Sequence, residues 1–409
     1  MQPSSKSIGR ALSQATERFA CELAQPQWPA PDWSPFEWQM ARAAAVLHGV
    51  TPLLAGALRW SGPAAWESFV AQQREQTLRR HRRIETVLED IGARAAAAGV
   101  ALVALKGSAL HALGLYTPGE RPMADIDLLV RPGEASRAAK VLTEAGYVAA
   151  GASWKDQTFV PAVSLGHEVL SLLPLGEHAA RPVKIELHTR IGERLPVTEA
   201  DITSLVFPEP ARPGLNAYAS NEVLLLHLLL HAAGNMSQRS IRLMHLHDIA
   251  RFAATMRVKQ WEELLNLSPA PHSFWWAFPP LELLNRYRPG LIPGQVLDRL
   301  RQGCPWPLRR LCHHATLSQL SFTSLALQAF PAKSWCGSWR ELLRYVRHRI
   351  LPSRELLAAR VACADEQWSR QDAWSRMPQG RRMIRWLCAR PPRRVTMYIV
   401  QAALQHPRA

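Results

Sequence analysis

Paired cysteines, long apolar runs and acidic residues near the C-terminus are what this 409-residue sequence lacks. Its six cysteines, at 21, 304, 312, 336, 363 and 388, form no Cys-x-x-Cys pair, so free thiols are expected. Cys304 with Cys312-His313-His314 fits none of the usual zinc spacings and reads as scattered structural residues. The longest strongly apolar stretch, 223–234, falls far short of the ~20 residues that a bilayer span needs. The first residues, MQPSSKSIGRALSQ, carry no apolar core or small-residue cleavage pattern, and a cytoplasmic location is expected.

What is present is an ordinary globular balance of 47% hydrophobic and 20% charged residues. The net charge of +16 is unevenly placed. Residues 1–298 hold 29 Lys/Arg against 28 Asp/Glu, whereas 299–409 hold 20 against 5. A tail that basic fits an anionic partner, either nucleic acid or a membrane surface. Tryptophans 335, 339, 368, 374 and 386 share this tail with arginines 340, 344, 347, 349, 354 and 360. The same mixture also suits a helical cap whose tryptophans fill the core while arginines face water.

Along the chain, 38–58 and 66–98 read as helices, the second a long charged amphipathic pattern stopped by Gly99. Residues 100–105 form a short apolar run between glycines, as a buried strand does. A short helix is expected over 108–115, with Ser108 as its cap, and Pro118, Gly119 and Pro122 mark a loop. Strands are expected over 126–130, 167–173 and 183–188, with a helix near 138–145 stopped by Gly146. From Asn221 onward the pattern is helical again. This order indicates an α/β or α+β core. Soft boundaries divide the chain into a helical region 1–98, a core 99–210, a helical domain 211–300 and a basic helical region 301–409.

The chemistry concentrates in Asp125-Ile126-Asp127-Leu128-Leu129-Val130. Alternate residues of a strand point the same way, so the two carboxylates share a face while Ile126 and Leu128 turn to the core. Two carboxylates that close repel, and a proton or a shared cation must relieve them. Magnesium, a hard cation that prefers carboxylate and phosphate oxygens, is the natural partner. Upstream, Leu105-Lys106-Gly107-Ser108 runs from strand into helix, where glycine admits a ligand close to the backbone and amides can cradle phosphate. His227 and His231 stand four apart on one helix face, read as packed residues that bond locally.

Taken with His48-Gly49-Val50-Thr51-Pro52-Leu53-Leu54, Tyr116, Arg121 and the 224–231 and 246–250 segments, these motifs resemble the uncharacterised bacterial nucleotidyltransferase family. That family belongs to the DNA polymerase β-type superfamily, and the resemblance covers roughly 35–260. It implies an α+β fold: a polymerase β-like core, a short mixed sheet with helices, flanked by N- and C-terminal helical regions. It also implies a third carboxylate on a later strand, which falls on Glu186 where the family usually has Asp. By this resemblance Asp125, Asp127 and Glu186 bind Mg2+ or Mn2+ and carry catalysis. Gly107 and Ser108 hold the phosphates of an NTP co-substrate. Charge and proximity add Lys106 and Arg121 as phosphate-neutralising groups. The expected acceptor is a peptide, small molecule or saccharide. An RNA-modifying, toxin-like enzyme and a non-catalytic nucleotide- or peptide-binding partner protein are the alternatives.

Overall fold

The computed structural model describes residues 3–405 except 28, 164–174, 197, 269, 271, 353–376 and 390. Four helices begin the chain. In α1 (Ser5–Ala24) the Ser4 side chain caps the first turn by accepting from the Ser7 amide. α2 (Pro35–His48) opens on a reciprocal cap. The Glu37 amide donates to Ser34 Oγ at 3.4 Å, and the Ser34 amide donates to the Glu37 carboxylate at 2.8 Å. The stretch 38–58 is not one helix. Gly49 takes a φ of +66°, which ends α2 in a left-handed cap, and α3 (Thr51–Ala57) leaves at 112° to it. α4 (Ala64–Ala97) then runs for 34 residues, as its amphipathic pattern implies.

The core that follows is α+β. Its elements are β1 (Ala101–Ala104), α5 (Lys106–Ala112), β2 (Asp125–Val130), α6 (Ala135–Glu144), β3 (Tyr147–Ala152), β4 (Asp156–Pro161) and β5 (Lys184–His188). After them come β6 (Gly192–Leu195), β7 (Thr198–Asp201) and β8 (Gly214–Asn216). Six strands form one mixed sheet in the order β3-β4-β5-β2-β1-β8, and β6 and β7 pair separately. β2 lies antiparallel to β1 and parallel to β5, in a register that sets Asp127 opposite Glu186. The expected strand 167–173 lies outside the described residues. The β3–β4 hairpin was not legible in the sequence: β3 reads Tyr-Val-Ala-Ala-Gly-Ala, with no alternation of apolar and polar residues.

The two faces of the sheet meet different neighbours. Ile126, Leu128 and Val130 of β2, with Ile185 and Leu187 of β5, pack against Ile84 and Ile91 of α4 and Val141 and Leu142 of α6. The opposite face carries Asp125, Asp127, Glu186 and His188, and Leu129 on that face joins the large helical core. That core is built around α7 (Asn221–Ser237), which is apolar nearly all round and buried accordingly. α8 (Leu243–Ala253) packs against it. Among the described residues, no single helix is long and apolar enough to cross a membrane.

The basic C-terminal region returns to this core. Helix Arg394–Gln405 packs on α2. Trp335 and Trp386 are buried, whereas Trp339 is 79% exposed. Arg354, Arg360, Trp368 and Trp374 lie outside the described residues.

One buried histidine ties three helices together. His48 Nδ1 accepts from the Leu243 amide at the start of α8 at 2.9 Å, and its Nε2 lies 3.2 Å from Thr16 Oγ1 on α1. Burial, reinforced by the charge of Arg242, pushes its pKa down to about 3. The folded protein therefore keeps His48 neutral while the unfolded chain protonates it near pH 6.5. Its contribution is present above that value and is lost as pH falls from 6.5 toward 3. Between pH 6.5 and 4.5 the loss from this one residue is about 2 kcal/mol. His48→Gln should flatten the stability–pH curve by that amount, measured by urea unfolding at both pH values. Parallel curves for the two proteins would refute the role given to His48.

Candidate functional site: a carboxylate cluster on the mixed sheet

β2 and β5 build the site by register alone. Alternation along β2 puts Asp125 and Asp127 on one face, and the same alternation along β5 puts Glu186 and His188 beside them. His188 Nε2 lies 2.9 Å from Asp127 Oδ1 and 3.5 Å from Glu186 Oε2. Asp127, Glu186 and His188 each offer a ligand atom within 4.8 Å of the others, which is the geometry of a metal-holding group. The His188 Nδ1 side faces Asp156 of β4 at 3.8 Å and has no hydrogen bond among the described residues.

Lys106 is the cation of this cluster. Its Nζ donates to Asp127 Oδ1 at 2.8 Å, the same oxygen that His188 contacts. The residue has a φ of +46°, a left-handed conformation that is costly without glycine and is held only where surroundings enforce it. Here the Lys106 amide donates to Tyr218 Oη at 3.2 Å, and Tyr218 Oη contacts His227 Nδ1 at 2.7 Å. This turn also moves the helix start. α5 begins at Lys106 rather than at Ser108, so Ser108 is a buried residue of the first turn and not the cap.

Charges in the cluster are set against one another. Burial, then the carboxylates of Asp127 and Glu186, pushes Asp125 up to about 6. No hydrogen bond among the described residues reaches the Asp125 carboxylate, which is half-buried. Burial alone would raise Asp127 too, but the Lys106 ammonium and the His188 hydrogen bond outweigh it and hold that carboxyl well below the usual range. For Lys106, burial is likewise outweighed by Asp127, Asp125 and Glu186, so the ammonium form is favoured.

Arg121 and Gly107 meet at the edge of the cluster. Arg121 makes a two-pronged pair with Asp248 of α8, Nε to Oδ1 at 2.8 Å and Nη2 to Oδ2 at 2.7 Å. Tyr116 donates to the same Oδ1 at 2.8 Å, which pins the 116–122 loop. A β-carbon at Gly107 would come within 2.2 Å of Arg121 Nη1, so any larger residue would displace the Arg121 guanidinium. Beside Lys106 and His188 a cleft opens between β6 and α7, lined by Lys155, Arg190, Glu193, His227 and His231. His227 and His231 thus bond locally, to Tyr218 and Asn235, and also form a wall of this cleft.

Several participants were not picked out by the sequence reading. His188 was legible in principle, since Glu186-Leu187-His188 repeats the alternation of Asp125-Ile126-Asp127. Arg80 was not, because it lies on α4 among many charged residues. Its buried guanidinium donates to the carbonyls of Met123 and Ala124 and of Arg181 and Pro182 at 2.6–3.3 Å. These four carbonyls belong to the segments that lead into β2 and β5, so one arginine ties together the entries to the two strands that carry the carboxylates.

A mixed sheet with such a cluster on one face, flanked by helices on both sides, is consistent with a nucleotidyltransferase core. The family described as uncharacterised nucleotidyltransferase matches residues 34–275, and the chain belongs to that family. No curated protein and no solved structure matches the chain.

Arg80→Met should remove four charged hydrogen bonds and strand their carbonyls, at a cost of about 3 kcal/mol or more. The drop is read by urea unfolding at pH 7. A variant as stable as the parent would show that the clamp does not hold the strands.

Proposed function

We propose that the protein transfers a nucleoside monophosphate from an NTP to a hydroxyl or similar acceptor, and that Asp125, Asp127 and Glu186 hold Mg2+ or Mn2+ for that transfer. The observation that carries this reading is the placement of three carboxylates on one face of two parallel strands, with Asp125 free of hydrogen bonds among the described residues and raised to about 6. Such a group favours a divalent cation, and its donors are the hard oxygens that magnesium and manganese prefer. His188 fits as the residue that orients Asp127, which with Asp125 and Glu186 would hold the metal. When bound, the metal supplies positive charge that binds the triphosphate and stabilises the charge developing during transfer.

The residues of the chain supply the rest. The acceptor oxygen attacks the α-phosphorus, the bond to pyrophosphate breaks in line, and the acceptor proton passes to Glu186, the more exposed carboxylate opposite Asp127. Gly107, with no β-carbon, lets phosphate approach the start of α5, where Ser108 adds a hydroxyl. Lys106, whose ammonium rests on Asp127, would neutralise charge on the leaving pyrophosphate. Arg121, anchored by Asp248, adds a fixed positive charge behind Gly107. The acceptor is a peptide, small molecule or saccharide.

The test offers the purified protein each of the four α-labelled NTPs with cell extract and Mg2+ or Mn2+. Label should pass to an acceptor with release of pyrophosphate, and Asp125→Ala/Asp127→Ala should reduce transfer at least ~1,000-fold, as loss of the metal-holding charge implies. Equal labelling by the double variant, or none by wild type with any nucleotide together with no metal-dependent NTP binding, would overturn the proposal.

A further inference from the structure

The register that joins β2 and β5 also brings a nitrogen donor among the carboxylates. Asp127, Glu186 and His188 each offer one ligand atom, all within 4.8 Å of one another, and this group does not include Asp125. His188 Nε2 points into the group, 2.9 Å from Asp127 Oδ1 and 3.5 Å from Glu186 Oε2. Lys106 Nζ reaches the same Asp127 oxygen at 2.8 Å, so positive charge is already drawn to this point. The His188 side chain is 4% exposed and that of Glu186 33%, so the group is closed behind the imidazole and open on the glutamate side.

A third carboxylate faces the imidazole from behind. β4 pairs with β5 so that Asp156 lies opposite His188, and Asp156 Oδ2 stands 3.8 Å from Nδ1. Its other oxygen accepts from Ser153 Oγ at 2.8 Å, which fixes the carboxylate. A neutral imidazole carries a single N–H. With the proton on Nε2, Asp127 is served, and Nδ1 is left as a buried acceptor facing another acceptor, without a hydrogen bond among the described residues. With the proton on Nδ1, Asp156 is served, and the Nε2 lone pair points between two carboxylate oxygens, where a cation is required. The second arrangement is that of metal-ligating histidines, whose far N–H goes to a carboxylate that fixes the ring and raises its donor strength.

Two carboxylate oxygens and one imidazole nitrogen form a mixed donor set. Magnesium favours all-oxygen coordination, whereas cobalt, nickel and zinc take imidazole readily and bind a given nitrogen–oxygen site more tightly than manganese does. Three protein donors also leave positions open for oxygens of a substrate. We propose that Asp127, Glu186 and His188 Nε2 hold a first-row transition-metal ion of the cobalt–zinc kind, selected over magnesium, with Asp156 orienting the imidazole. The contact between His188 and Asp127 is then the metal-free arrangement, and both side chains become ligands when the ion binds. Asp125 is not a ligand of this ion and stays available to the cation that accompanies an NTP. The use of the ion rests on the nucleotidyl-transfer reading, whereas its binding stands without it.

The full-length protein, stripped with EDTA and exchanged into chelator-free buffer, is titrated with Co2+ and with Mg2+ by calorimetry in the absence of nucleotide. The visible spectrum of the Co2+ form is recorded alongside. Wild type should bind Co2+ roughly tenfold or more tightly than Mg2+. His188→Gln should lose most of that preference, shift the Co2+ spectrum and leave Mg2+ binding little changed. Asp156→Asn keeps all three ligands but offers Nδ1 an amide N–H, which favours the tautomer with its proton on Nε2. It should weaken Co2+ binding by about tenfold or more. Equal affinity of wild type for the two ions, or a preference for Co2+ that survives in His188→Gln, would overturn the assignment and leave His188 as a hydrogen-bonding partner of Asp127. Should His188→Gln fail to fold, Asp156→Asn decides, and unchanged Co2+ affinity there would refute the proposal. Co2+ binding that depends on His188, alongside a silent labelling assay, would keep the metal site and remove the transfer reading. Labelling by a protein whose metal preference ignores His188 would do the reverse.

Discussion

Three carboxylates crowded on one face of a sheet impose the main electrostatic constraint on this protein. Asp125, Asp127 and Glu186 repel one another, and the surroundings answer that repulsion in separate ways. Lys106 and His188 both engage Asp127, so its charge is stabilised, while Asp125 is left unrelieved and rises toward neutrality. This asymmetry divides two chemically identical side chains by environment. It also accounts for the strained conformation of Lys106, whose turn brings its ammonium from the end of β1 across to β2.

Holding the carboxylates together requires mechanical support as well as charge. Arg80 reaches from α4 to the carbonyls ahead of both β2 and β5, and the apolar faces of those strands seat on α4 and α6. On the other side, Asp248 of α8 fixes Tyr116 and Arg121 and with them the loop that leads to Asp125. The flanking helices therefore determine the shape of the site. The matched family region, 34–275, takes in α2 through α8, the same elements that provide this support.

Much of the candidate site's face was readable before any coordinates. Period-two alternation put Asp125 and Asp127 together and turned Ile126 and Leu128 to the core, as observed. The long amphipathic pattern of α4 and its end before Gly99 were equally plain. Where local signals competed, the reading slipped. Gly49 looked like one glycine in an Ala/Leu-rich run, yet its left-handed cap turned one expected helix into two. Ser108 looked like a cap, yet the contact from Tyr218, 110 residues downstream, lets the helix start at Lys106. The hairpin β3–β4 had no apolar period to reveal it.

The sequence by itself determined which residues alternate on a strand, where helices are amphipathic, and how unevenly charge is distributed. Those properties depend on neighbours a few positions apart, so they can be read along the chain. Only the tertiary structure decided that Glu186 faces Asp127 and that Arg80 bonds the carbonyls ahead of both strands. Each of these pairings joins residues separated by dozens of positions or more. Their energies come from burial and from charges meeting in a low-dielectric interior, which local sequence does not encode.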